Sequence, residues 1–237
     1  IIYPLHMMGG LLVLILLLLV AAVLSVAGAS PMEYPKDWPD QFMINFSSNI
    51  TTEGVGENPL SGIMYYDWTQ QVQRVDHAPG AVECTEFYNT NGGCVLIFNP
   101  QGMYRILNDP IPEGSPECCL DMDSIHASPP DWAMKSNPTY NGEVVDPYSK
   151  LLSFKWTFDN LNNAPYLSHR RLQDKEPHMY FQTWKKKQPL VFTFPGKDGI
   201  QDYHFDVDSM KSAPKDLPDG AFDGIFDLPT GCNIACP

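Results

Sequence analysis

Basic residues are scarce in this chain of 237 residues, where 15 Lys+Arg stand against 28 Asp+Glu for a net charge of −13. That balance argues against a nucleic-acid backbone as partner, because phosphate binding needs clustered cations. An anionic membrane face would repel the same surface. Recognisable catalytic signatures are missing too. The chain has no Gly-x-Ser-x-Gly elbow, no papain-like cysteine context, no Gly-rich phosphate loop and no dinucleotide fingerprint. A non-enzymatic role is therefore expected. Helical periodicity is nearly absent beyond the N-terminal leader; a weak stretch at 166–175 is the only other helix candidate. Intrinsic disorder is excluded by a 12% aromatic content.

Charge of either sign is missing before Glu33, and residues 9–29 form an uncharged, Leu-rich run. Two readings compete. As a secretory signal, the run has an apolar core followed by small residues at Ala27-Gly28-Ala29, and cleavage there leaves a chain starting near Ser30. As an anchor, about 20 apolar residues just cross a bilayer. Either way the expected organisation is a leader over 1–29 and one folded domain over 30–237, delivered to the secretory pathway and thus extracellular or lumenal.

Six cysteines (Cys84, Cys94, Cys118, Cys119, Cys232 and Cys236) in an exported chain read as disulfides. Fifteen pairings are possible. A bond between the neighbours Cys118 and Cys119 is strained, and the other pairings stay open. Two glycosylation acceptors, Asn45-Phe46-Ser47 and Asn49-Ile50-Thr51, fall in a strand-like run where Phe42, Ile44 and Phe46 point one way. Asn45, Ser47 and Asn49 then point the other way, toward water.

Pro and Gly make up about a sixth of the chain, and turn residues separate short strand-like runs. Runs at 42–50, 62–68, 72–77, 82–88, 94–98 and 103–107 come first, with Asn89-Thr90-Asn91-Gly92-Gly93 as a hairpin turn signal. Six prolines between 108 and 138 mark a crossover, with one helical turn expected at Pro130–Lys135. Strands resume at 140–145, 151–158, 178–184, 190–194 and 201–207. The expected fold is all-β: a curved antiparallel meander, or half-barrel, of about 10–11 strands preceded by an N-terminal hydrophobic helix. So wide a sheet must curl. Its concave face is either filled by aromatic side chains or left partly open as an apolar pocket.

The segment Gly62-Ile63-Met64-Tyr65-Tyr66-Asp67-Trp68, a short spacer and Arg74 resemble the opening hairpin of ependymin-related proteins and, more distantly, bacterial lipoprotein carriers. The closing Phe226-Asp227-Leu228-Pro229-Thr230-Gly231-Cys232 resembles the ependymin Phe-x-x-Pro-x-x-Cys ending. The resemblance spans most of residues 40–232. It implies a secreted, disulfide-bonded, glycosylated half-barrel with a hydrophobic ligand cavity, together with calcium binding and homodimerisation.

Among carboxylates spaced two apart, Asp121/Asp123 and Asp206/Asp208, the second pair is the better candidate for a hard cation such as Ca²⁺, because strand spacing puts both on one face. His178 and His204 both fall in expected strands, where they could meet across the sheet. The reading that emerges is an exported carrier holding a lipid or other hydrophobic small molecule on its concave face, with Trp68, Trp156, Phe158, Tyr180 and Phe194 as candidate ligand-binding residues. The alternative is a membrane-anchored structural subunit whose sheet packs against partners in an extracellular or lumenal assembly.

Overall fold

Apolar residues at every second position make two-faced strands, and the chain folds accordingly. The computed structural model describes residues 34–51, 60–81, 84–85, 88–158, 178–183, 185–196 and 199–236. The strands are β1 (Gln41–Thr51), β2 (Leu60–Asp67), β3 (Val72–His77), β4 (Cys94–Asn99), β5 (Gly102–Leu107) and β6 (Cys118–Met122). After a short helix α1 (Trp132–Lys135) come β7 (Thr139–Val145), β8 (Leu152–Phe158), β9 (His178–Thr183), β10 (Pro189–Gly196) and β11 (Gly199–Ser212). They form one curved, unclosed antiparallel sheet in the order β6-β5-β4-β3-β2-β1-β11-β10-β9-β8-β7. The all-β expectation holds, and α1 lies where the helical turn is expected. The helix candidate at 166–175 and the expected leader at 1–29 lie outside the described residues.

The strand order departs from a plain meander. The first and last strands pair in the middle of the sheet, from Phe42↔Ser212 to Thr51↔Ile200, with a bulge between Met43 and Asn45. Two meanders therefore flank this seam, and the chain must travel from one sheet edge (β6) to the other (β7) through residues 123–138. Ten inter-strand spacings amount to about 48 Å along a flat sheet. Sixteen residues that include a helical turn and several prolines reach about that far only if fully stretched. The sheet must curl for the crossover to fit, and the crossover lies on its inner face. There Trp132 of α1 is buried beside Trp38, Phe158, Tyr180 and Phe192, with ring centroids 5.2–5.8 Å away.

Two expectations about local structure are corrected. In the run 82–88, read as a strand, Cys84, Thr85 and Tyr88 are helical. The Thr85 N–H donates to the Ala81 carbonyl at 2.9 Å, and the Cys84–Cys94 disulfide ties this turn back to the start of β4. The supposed crossover contains a strand, β6, between Pro116 and Pro129. It is short enough to escape the prolines, and it pairs with β5 through Arg105↔Cys119 and Ile106↔Cys118.

The remaining disulfides are Cys118–Cys232 and Cys119–Cys236. Adjacent strand residues face opposite sides of a sheet, so the C-terminal tail must grip β6 from both. On the outer face Leu228 and Cys232 pack with Val95, Ile97, Tyr104 and Cys118. The tail then turns along the edge, where the Leu120 N–H donates to the Ile234 carbonyl and the Cys236 N–H to the Leu120 carbonyl. Cys236 finally reaches Cys119 on the inner face. This covers a strand edge that would otherwise offer a template for pairing. Further along the outer face, the Arg74 guanidinium donates to the Ile225 carbonyl at 2.8 Å, and Phe222 packs edge-on against Tyr65.

The two tail disulfides close nested loops over sequence separations of 114 and 117 residues. With one in place, the other closes only a short ring. In the chain-entropy account, removing the first pair (Cys119→Ala with Cys236→Ala) costs about 2 kcal/mol, and removing the second as well costs about 5 kcal/mol more. Denaturant titration of the three chains checks this ordering. Trp132→Ala, which empties the crossover's largest contact, is expected to cost about 3–5 kcal/mol in the same assay.

Candidate functional site

Cross-strand partners share a face, so the register defines rows of inner-face side chains. One row runs Phe42, Tyr66, Gln73, Phe98, Met103. The next runs Ile44, Met64, Val75, Leu96, Arg105, Cys119, and the third Phe46, Gly62, His77, Cys94, Leu107. Gly62 is required where it stands, since a Cβ there would come within 2.3 Å of the Phe46 ring.

Around the β1–β11 seam and toward β8 the inner face is filled. Trp156, Phe158 and Tyr180 have no solvent exposure. The Trp38 indole N–H donates to the Tyr180 hydroxyl at 2.9 Å, and the Gln182 side chain exchanges two hydrogen bonds with the Lys36 backbone, holding the entering segment in place. The Tyr66 hydroxyl donates to the Ser128 carbonyl of the crossover. Burial raises the pKa of both tyrosines, so they act as neutral hydrogen-bonding groups.

Three of the aromatic residues expected to line an open cavity thus form a packed core beside Trp132, and a ligand reaching them would have to displace Trp38 or Trp132. Trp68 is separate. It is half-buried and borders a shallow cleft of about 370 Å³ with Trp38, Asp40, Asp131 and Lys135. The Phe194 side chain lies outside the described residues.

Over β3 and β4 the covering is thinner. Val75 and Leu96 point to the inner face yet are only half-buried, between fully packed Met64 and Arg105. On one side the strip is bounded by Phe98, Met103, Ile125 and Ala127. On the other stand Phe46, His77 and Tyr203, whose rings are 5.2–6.5 Å apart. Sequence alone did not single out Val75, Leu96, His77 or Arg105. In the run 72–77 both alternating sets mix polar and apolar residues, so the inner set was ambiguous. Arg105 is one cation in an otherwise apolar strand, which is its only signal.

The outer face has a groove of about 510 Å³ between β11 and the turn at 146–151. Tyr148 stacks on His204 there, with centroids 4.2 Å apart. Asp206 and Asp208 are exposed on this face, and an Asp206 carboxylate oxygen accepts the Asp208 N–H at 3.1 Å. Among the described residues, no group of three or more His, Cys, Asp or Glu side chains is arranged to hold a metal ion. His204 and His178 do not meet. His204 pairs with Val191 on the outer face, whereas His178 pairs with Phe158 on the inner one. Asn45 is exposed on the outer face, and its partner acceptor Asn49 has its side chain outside the described residues.

No family model matches the chain, and no curated protein matches it. Solved structures do. An uncharacterized conserved protein from Thermus thermophilus is similar at 12% identity and TM-score 0.45, covering 83% of this chain and 90% of its own. A LolA superfamily protein from Nitrosomonas europaea is similar at 10% identity and TM-score 0.39, covering 81% of this chain and 94% of its own.

His77 carries a pH dependence. Burial among apolar neighbours lowers its pKa to about 4, below the value of an exposed imidazole. The unfolded chain therefore binds the proton first, so this contribution is complete above about pH 6.5 and is lost as pH falls toward 4. Between pH 7 and pH 4.5, wild type is expected to lose about 2–3 kcal/mol more stability than His77→Gln. Urea titrations of both chains at the two pH values measure the difference.

Proposed function

We propose that this chain is an exported, non-enzymatic carrier that holds a lipid or other apolar ligand against the inner face of its curved sheet. The observation that carries this reading is the strip over Val75 and Leu96, an apolar inner-face surface left only partly buried in a sheet that does not close. Covering such surface with a ligand removes it from water at about 25 cal/mol per Å², before the cost of ordering the ligand. Three disulfides support an oxidising, extracellular or periplasmic setting, and the exposed Asn45 suits a glycan acceptor.

A second reading, an assembly subunit that presents its sheet to partner proteins, is favoured by the aromatic packing around Trp38 and Trp132. That packing makes the seam a rigid slab. Native mass spectrometry of the secreted chain separates the two. A carrier retains a lipid-sized adduct, and Leu96→Lys, which sets a charge in the strip, lowers its occupancy by about tenfold or more. A chain free of adduct that travels with other proteins supports the assembly subunit.

A further inference from the structure

Arg105 stands at the end of the partly buried strip, and its surroundings are unusual for a cation. The residue is 8% exposed. Its guanidinium lies over the Tyr88 ring at 4.4 Å from the centroid, and one terminal nitrogen donates to the Cys119 sulfur at 3.2 Å. Its Nε, fully buried, has no hydrogen-bond partner. Among the described residues no carboxylate lies within ion-pair distance of it. Asp121, two residues beyond Cys119 on β6, instead accepts the Tyr88 hydroxyl at 2.9 Å.

Buried charges are ordinarily paired, because desolvating one is costly. A disulfide sulfur is a weak acceptor, and an aromatic face offsets only part of that cost. With one terminal nitrogen on Cys119 and Nε buried, a guanidinium so placed keeps its other terminal nitrogen for an anion. The register sets Leu96 directly beside it, then Val75, then Met64. The first two of those spacings, as far as Val75 and short of packed Met64, make about 10 Å, the length of a short extended alkyl chain.

We propose that the ligand is an anionic amphiphile whose carboxylate or phosphate head group pairs with Arg105 and whose alkyl tail lies over Leu96 and Val75. This rests on the carrier reading above and adds the chemistry of the ligand's head. The tail provides burial, and the head supplies what Arg105 lacks. Selectivity then comes from the head, since a neutral amphiphile of equal length leaves a buried cation unmatched.

Calorimetric titration of the full chain with dodecanoate, dodecyl phosphate and dodecanol tests the assignment. Wild type is expected to bind at least one of the two anions about tenfold or more tightly than the alcohol. The tighter anion tells whether carboxylate or phosphate is the head group. Arg105→Met is expected to abolish that preference while dodecanol binding persists, and Arg105→Lys to keep part of it. Without ligand, Arg105→Met should melt at or above the wild-type temperature, because an uncompensated buried charge has been removed. Equal affinity of wild type for all three compounds overturns the head-group assignment and leaves the carrier reading standing. Retention of the preference in Arg105→Met does the same, and so does a marked loss of ligand-free stability in that variant. Failure to bind any of the three overturns both.

Discussion

The pairing of β1 with β11 is the constraint on which the rest of the structure depends. It places the first and last strands side by side in the middle of the sheet and leaves β6 and β7, consecutive in sequence, at opposite edges. Residues 123–138 must then bridge the full width, and they can do so only across a curled sheet. Curvature, the inward position of Trp132 and the filling of the face around Tyr180 follow from one pairing and one short connection. The hydrogen bond from Tyr66 to the Ser128 carbonyl and that from the Trp38 backbone N–H to the Pro130 carbonyl are local fastenings of this path.

The two halves of the sheet are stabilised differently. Near the seam and toward β8, large rings interlock on the inner face, and the Trp38 indole N–H donates to the Tyr180 hydroxyl within that packing. Toward β6 the rings give way to Val75, Leu96 and Met103, and covalent bonds take over. Three disulfides lie in this half, and the tail shields its outer surface. Such an arrangement keeps a thinly covered strip without loosening the strands beneath it. A thinly covered apolar surface is tolerable where its frame is held by other means.

Much of the fold was legible because burial writes a period-two pattern. Leu152, Phe154, Trp156 and Phe158 alternate with polar residues in sequence, and three of these four are buried on the inner face in the structure. Failure came where a local signal competed with a distant one. Asn89-Thr90-Asn91-Gly92-Gly93 resembles a hairpin turn, yet the Cys84–Cys94 bond joins a helical turn to β4. Cys118-Cys119-Leu120 looked like part of a Pro-rich loop because its outer partner is supplied more than a hundred residues later. The candidate site was legible only as a class of residues. Aromatic content announced a large inner face, but which rings are packed and which apolar residues stay uncovered depends on where Trp132 falls, a non-local fact. Arg105 becomes notable only once its surroundings are known to hold no carboxylate partner among the described residues.

The grip of the tail on β6 also bears on how the molecule is made. Synthesis proceeds from the N-terminus, so Cys84 and Cys94 emerge close together and can join early. Cys118 and Cys119 meet their partners only when residues 232 and 236 have left the ribosome, and β1 lacks its second neighbour until β11 appears. The seam and the clamp are thus completed only after Cys236 has emerged. Until then the growing chain presents an apolar face and two adjacent thiols to its surroundings, a period in which folding helpers and thiol oxidases have most to do.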